Sequence, residues 1–377
     1  MPNLPFIETL KQAKEIFTWS QQQDVTGLQH FFFDEAQTPL IATGAGGSFS
    51  PMAFAALLYS TCQGLGRAVT PLTYASFSDA VIQHSKTLIL SSSGHGVDID
   101  PLISRTIKKL NPKHTAAITH EGSRNDLHKA LSEVSENSFV YDWNEPKGFI
   151  STTAPFAVFG LLYKAFTSDH DFANQLACDL EPAKNFTYAP LSAFRTKTVP
   201  EEQSVALKPY SEIKNYIVLY GGWGEPVAQD FESKMIESGY ASVQLCDYRD
   251  FMHGRFIFLS NRMEESVLVL LMTPRERQHF VESAIFNGRA NRGKDDLFPN
   301  QTPVITVETA FDSPLAALDL LYKSSVLFSE IGKSFGYDPC HPKNYSKISK
   351  QDPKSIPFTG IKGKSHGLGG VEPVCME

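Results

Sequence analysis

PLIATGAGGSFSPMAFAAL, residues 39–57, places an apolar run, a glycine-rich turn and an apolar helical stretch in direct succession. NYIVLYGGWGEPVAQDFESKM, residues 215–235, repeats that order. A short run that is apolar at consecutive positions is buried on both faces, as in the middle of a parallel sheet. Ser50 before Pro51 predicts an N-cap with proline at the first helical position, and Pro226 predicts the same start in the second stretch. Working outward, Pro39–Thr43, Thr87–Leu90, Thr115–Thr119 and Ser138–Tyr141 read as central strands of a first half. Tyr216–Tyr220, Ser242–Leu245, Phe256–Ser260, Val267–Met272 and Pro303–Val307 read as those of a second. Helical stretches separate them, so the chain is α/β, with a parallel sheet covered by helices in each half. The matching openings point to internal duplication.

Glu181–Gln203 carries Pro182, Pro190 and Pro200 without a regular period and marks the boundary between the halves. The expected divisions are an N-terminal helical segment over 1–34, with one amphipathic helix across Pro5–Gln29, a first domain over 35–195, a second over 205–335 and a tail over 336–377. After Lys350 the tail reads as a flexible chain end. With 42% apolar and 20% charged residues the chain is globular in composition, and 377 residues suffice for two domains. Thirty-four Lys and Arg against 41 Asp and Glu leave a net charge of −7, which gives no field to attract nucleic acid or a membrane surface. No apolar run approaches the ~20 residues of a membrane span. The first 17 residues lack the basic start and apolar stretch of a secretory signal. Cys62, Cys178, Cys246, Cys340 and Cys375 are scattered without ligand spacing. They read as reduced thiols, so no metal is expected and the location expected is cytoplasmic.

Gly44-Ala45-Gly46-Gly47-Ser48 is not a dinucleotide fingerprint: position 49 is Phe, and no acidic residue ends a second strand about 20 residues on. Gly363-Lys364-Ser365 is not a phosphate loop, since position 358 is Phe and no strand or apolar helix flanks it. No HExxH occurs, and Gly46–Ser50 fails the nucleophile-elbow pattern at its last position. No cofactor is expected. What remains is rich in hydroxyls. Ser91-Ser92-Ser93-Gly94-His95-Gly96 follows a strand and precedes a helix start near Asp100-Pro101. Hydroxyls and backbone N–H groups in such a turn can cradle phosphate without a lysine. Along 226–238, Val227, Ala228, Phe231 and Met235 share one side of a helix, and Asp230, Lys234 and Glu237 another. Each feature alone also has a plain reading, as a Ser/Gly loop and as a solvated face with Lys234 paired to both acids.

Together the pieces resemble the double-SIS (sugar isomerase) family. The likeness is to the isomerase half of glucosamine-6-phosphate synthase and to glutaminase-free relatives such as fructosamine-6-phosphate deglycases and amino-sugar-phosphate deaminases. Ala45-Gly46-Gly47-Ser48 resembles the family's Cys-Gly-Thr-Ser turn, and Ser91–Gly96 its Ser-Gln-Ser-Gly-Glu-Thr phosphate loop. Phe149-Ile150-Ser151-Thr152 resembles Val-Ala-Ser-Thr. From Gly224 the sequence resembles the helix that carries the family's catalytic glutamate, with Asp230 and Glu237 on its acids. His253-Gly254 follows 16 residues after Glu237, as in the family's Lys-His-Gly motif. Asp338 to Lys347 resembles Asp-x-x-x-Pro-Arg-Asn-Leu-Ala-Lys, which places Lys347 on the family's active-site lysine.

The resemblance implies two doubly wound, flavodoxin-like SIS subdomains with helices on both faces. It implies proton transfer on an open-chain sugar phosphate or amino-sugar phosphate: isomerisation, deamination or deglycation. Glu237 would be the general base, its pKa raised by partial burial, with a contribution of ~10²–10⁴-fold. His253 would move the ring-oxygen proton, and Lys347 would assist ring opening or form an imine with a ketose. Gly46, Gly47, Ser48, Ser91, Ser92, Ser93, Phe149 and Ser346 would surround the substrate, with Ser48, Ser91 and Ser93 on its anion. Because the family's histidine comes from the neighbouring subunit, a homodimer with shared sites is implied. No glutaminase domain precedes the first half, so glutamine-dependent amination is not expected. Gly96 stands where the family has a phosphate-binding Thr, Ser92 replaces Gln, and Met252 replaces Lys. These departures leave open the anionic group, the sugar and the choice among the three reactions. Residues 351–377 carry no functional reading. The alternative is a non-catalytic sugar-phosphate sensor acting through protein partners; Glu237, His253 and Lys347 together favour the enzyme, since a sensor needs no base.

Overall fold

The structure is a computed structural model, and it describes residues 5–35, 37–96, 98–121, 125–143, 150–167, 169–195, 207–286 and 298–340. They form two compact units, each with its own sheet. The first holds residues 15–143 and Ser151–Asp171; the second holds residues 5–14, Ile150 and Phe172–Cys340.

In the first unit five parallel strands, β1 Leu40–Thr43, β2 Gly66–Val69, β3 Lys86–Ser91, β4 Thr115–His120 and β5 Ser138–Tyr141, lie in the order β2-β1-β3-β4-β5. That is the flavodoxin-like order. The alternation of side chains sorts the sheet into two faces. Ile41, Ile89 and Ala117 face a core completed by Tyr74, Ile82, Leu102, Ile107 and Leu131 from the crossover helices. The other face carries helix Phe49–Cys62, which packs on β1 and β3 and against helix Thr153–Phe166, Phe54 stacking on Phe159 at 4.7 Å. Helix 49–62 starts earlier than the Ser50–Pro51 pair predicts. A 3-10 turn over Gly46–Ser48 already winds the chain, so Ser48 takes the N-cap position and Ser50 is buried within the first turn. Pro51 is still tolerated there, because the first N–H groups of a helix have no partner within it.

In the second unit β7 Asn215–Tyr220, β8 Ser242–Asp247, β9 Ser266–Met272 and β10 Pro303–Glu308 are parallel, in the order β10-β9-β7-β8. This repeats the β4-β3-β1-β2 arrangement of the first sheet, so the duplication read from the two openings extends to topology. The fifth strand, β6 Thr187–Pro190, comes from the proline-rich segment and pairs antiparallel with β10. Proline is acceptable on such an edge. Ser242–Leu245 lies in the other edge strand rather than a central one, and its side chains alternate between exposed and half-buried; Ser138–Tyr141, also expected to be central, is the half-buried edge strand β5 of the first sheet.

Phe256–Ser260 is not a strand. It lies in helix Phe256–Asn261, the end of the crossover from β8 to β9. A parallel connection needs such a crossover, and Phe251, Phe256 and Leu259 face the same core at helical spacing. The single N-terminal helix expected over Pro5–Gln29 is three: Phe6–Leu10, Ala13–Gln22 and Thr26–Phe33. Asp24 Oδ1 accepts Thr26 N–H at 2.9 Å, which starts the third. In the second unit Phe6 packs on Phe328 at 4.9 Å, and its N–H donates to the Asp338 carboxylate at 3.1 Å. Among the described residues no helix is long and apolar enough to cross a membrane.

Candidate functional site

In an open α/β sheet a crevice forms where neighbouring strands send their chains to opposite sides, beyond the carboxyl ends. In the first unit that point lies between β1 and β3. A cleft of about 110 Å³ opens there, lined by Ala45, Gly47 and Ser48 after β1, by Leu90 and Ser92 at the end of β3, by Pro51, and by Ser151, Ala154 and Val158. Two helices of 14 residues, 49–62 and 153–166, begin at its wall. Their leading N–H groups and positive dipole ends favour an anion. Ser48 occupies the N-cap position of helix 49–62, yet its hydroxyl makes no capping hydrogen bond. Hydroxyls from three separate segments, Ser48, Ser92 and Ser151, thus meet over apolar walls.

The expected serine triplet divides. Ser92 lines the cleft. Ser91 is drawn into its own loop, where its Oγ accepts Gly94 N–H at 3.1 Å. Ser93 is exposed and donates to His95 O at 3.1 Å. The loop is pinned from behind, where Leu127 N–H donates to Gly94 O at 2.9 Å; beside it Asn125 Oδ1 accepts His128 N–H at 2.9 Å and its Nδ2 donates to Thr119 Oγ1 at 2.7 Å. Gly46 belongs to the same turn as Gly47 and Ser48 but does not line the cleft. Ser151 does, although the stretch that contains it had pointed to Phe149. The signal that would have found it is its place just before a helix start.

In the second unit Glu237 ends helix Glu225–Glu237. It is exposed in the single chain rather than partly buried, and Ser233 Oγ donates to its carboxylate at 2.7 Å. Burial, and then the charge of Glu237, push the neighbouring Glu232 carboxyl up. The rest of the acidic stripe is no solvated face, for Asp230 and Lys234 form a buried ion pair one turn earlier. His253 is exposed on the crossover after β8. That crossover is held to the sheet face of Ile217 and Leu219 by Tyr248, Phe251 and Leu259. Helix 225–237 lies on the opposite face, where Phe231 meets Tyr216 at 6.4 Å. Glu237 and His253 are therefore separated by the sheet itself, and one chain does not bring them together.

Phe149, Ser346 and Lys347 lie outside the described residues. A cavity of about 1150 Å³ in the second unit lies at the amino ends of β7, β9 and β10, and neither Glu237 nor His253 lines it. Its charges serve one another, as in the Lys214–Glu265 and Arg262–Glu265 pairs. Among the described residues no three His, Cys, Asp or Glu are placed to hold a metal ion together.

No protein-family model and no curated protein sequence matches the chain. Solved structures do. The C-terminal domain of glucosamine-fructose-6-phosphate aminotransferase from Francisella tularensis is 13% identical with a TM-score of 0.59, covering 89% of this chain and 98% of its own. Tagatose-6-phosphate ketose/aldose isomerase from Escherichia coli is 14% identical with a TM-score of 0.60, at 90% and 98% coverage. Glucosamine-6-phosphate deaminase from Thermotoga maritima is 11% identical with a TM-score of 0.61, at 90% and 97% coverage. This chain has the SIS fold. At such identities the likeness is one of fold, and the chemistry rests on the residues themselves. In this SIS-fold chain the loop after β3 carries a glycine, Gly96, where the family's motif has Thr. Gly96 has a φ of +119°, which the family's Thr would adopt only under strain.

Proposed function

We propose that this SIS-fold chain acts on a sugar phosphate or amino-sugar phosphate by proton transfer on the open-chain form, as an isomerase, deaminase or deglycase. The observation that carries the reading is the hydroxyl-lined cleft at the switch point of the first sheet, where two helix N-termini meet. An anion held there by Ser48 and Ser92 fixes the distance from its carbon chain to a base, which is the positional part of catalysis. Glu237 is the proposed base, His253 the group that moves the ring-oxygen proton, and Lys347 the amine that assists ring opening. The separation of Glu237 and His253 by one sheet supports a homodimer in which Glu237 works with the partner subunit's His253. The sensor reading has one observation in its favour, the exposure of Glu237 in the single chain.

Thermal-shift screening against sugar and amino-sugar phosphates identifies the ligand, and turnover of that ligand separates the two readings. For the enzyme, Glu237→Gln lowers kcat at least ~10²-fold while binding survives. Turnover unchanged in that variant removes Glu237 from the mechanism; a ligand that binds wild type and is never turned over establishes the sensor.

A further inference from the structure

His120 is the last residue of β4, and nothing in its sequence context singles it out. Leu90, which lines the cleft, pairs with Ile118 across β3 and β4, and Ser91 pairs with Thr119. Side chains alternate along a strand, so His120 follows Ile118 on the cleft's face of the sheet. Its N–H donates to Ser92 O at 3.3 Å. That contact sets it one strand spacing, about 5 Å, from the cleft. Among the described residues the ring's polar partners all lie on its Nε2 edge. Nε2 lies 2.7 Å from Trp143 O, and the ring packs edge-on to the Trp143 indole at 4.7 Å. A carbonyl can only accept, so the uncharged ring carries its proton on Nε2 and leaves Nδ1 as an acceptor on the edge away from Trp143. The charged group facing the ring is Asp142, 3.6 Å from Nε2 but 70% exposed and so screened by solvent. Tyr141, opposite His120 on β5, has its hydroxyl engaged with Asp24 O at 3.1 Å. His120 does not itself line the cleft, but a histidine with one nitrogen anchored on a main-chain carbonyl, one strand spacing away on the same face of the sheet, is placed to read the part of a ligand that extends beyond the cleft.

We propose that His120 determines specificity in this cleft: Nδ1 accepts a hydrogen bond from a hydroxyl on the carbon chain of the phosphate ester whose anion Ser48 and Ser92 hold. The proposal rests on the reading of the cleft as an anion site, and it makes the ligand a phosphorylated polyol rather than any phosphate.

The test uses the full chain, labelled with ¹⁵N at histidine and backbone, and two probes, inorganic phosphate and sorbitol 6-phosphate. Both probes are expected to shift the amides of Gly47, Ser48 and Ser92, and only sorbitol 6-phosphate to shift the Nδ1 resonance of His120. In His120→Phe, which keeps a ring beside Trp143, affinity for sorbitol 6-phosphate is expected to fall about tenfold, the value of one hydrogen bond, while affinity for phosphate stays within twofold. A His120 Nδ1 resonance that stays still while the cleft amides move overturns the proposal and leaves the anion site standing. So does an equal loss of both affinities in the variant. If neither probe moves the cleft amides, the reading of the cleft falls and this proposal falls with it. The wild-type titration decides even if the variant does not fold.

Discussion

Ser48 stands where a helix normally uses a side chain to cap itself, and it leaves the cap unmade. A serine spent on capping costs ~1 kcal/mol when replaced by alanine. Ser48→Ala is expected to change unfolding free energy by less than about 0.5 kcal/mol, the range of substitutions away from such features. Combined with Ser92→Ala it is expected to weaken binding of the anionic ligand by roughly 10²–10⁴-fold, since the two lost charge-assisted hydrogen bonds contribute ~1.5–3 kcal/mol each. Urea unfolding and calorimetric titration of the same samples check both halves; a destabilised variant with normal affinity makes Ser48 an ordinary cap. Gly94 shows the opposite pattern. Its φ is +63°, and a Cβ there would lie 2.1 Å from Asn125 Oδ1. Gly94→Ala therefore adds left-handed strain to displacement of a buried amide that holds two elements together. A loss of about 2–3 kcal/mol is expected by urea unfolding. Gly96→Ala, with φ +119° but open space around it, should lose only about 1 kcal/mol.

Helix 225–237 carries the candidate base at its end and a buried ion pair within, Asp230 with Lys234. Removing one member of such a pair leaves a buried charge unmatched, whereas removing both exchanges charge for apolar contact. Lys234→Met is expected to cost about 3–5 kcal/mol, and the double replacement with Asp230→Leu to recover most of it. A double-mutant cycle in urea measures this, and additive losses would mean that the pair is not coupled. This helix was legible in the sequence because Pro226 and the 3.6-residue spacing of Val227, Phe231 and Met235 act locally. The buried strands β1, β3, β4, β7, β9 and β10 were legible for the same reason, as continuous apolar runs. What escaped depends on partners far along the chain. β2, with Gly66 and Arg67, and β6, with Pro190, are edge strands that owe their form to one neighbour. Phe256–Ser260 has the apolar content of a strand, and only the need to return from β8 to β9 makes it helical. In the cleft, the turn after β1 marked Gly47 and Ser48, but nothing local told Ser92, which faces the cleft, from Ser91 and Ser93, which bond within their own loop. His120 becomes visible only when β3 and β4 are set side by side.

At the scale of the whole molecule, buried phenols set an alkaline limit. Burial pushes Tyr188 and Tyr220 up to about 12, and Tyr141, Tyr163, Tyr216 and Tyr240 higher still. The unfolded chain ionises near ~10 while the fold keeps these phenols neutral. Their contribution is thus intact below pH ~10 and lost above it, at ~1.4 kcal/mol per pH unit for each tyrosine. Far-UV dichroism and the ionisation of these six phenols should therefore change together above pH ~10; any of the six titrating in a still-folded chain would contradict its burial. The proposed function makes its own demand at this scale. Glu237 and His253 sit on opposite faces of one sheet, so a site that uses both must draw them from two copies. A two-fold dimer then holds two composite sites. Mixing Glu237→Gln chains with His253→Ala chains gives heterodimers with one site carrying both lesions and one carrying neither. Activity is expected to return to about half of wild type per heterodimer, although each parent is inactive. Light scattering must first show a dimer that exchanges subunits. A solvated acidic stripe would give no rescue, and neither would a site contained within one chain. Exchanged dimers that remain inactive, or a strictly monomeric chain with full turnover, would end the shared-site proposal while leaving the cleft of Ser48 and Ser92 to be judged by its own binding data.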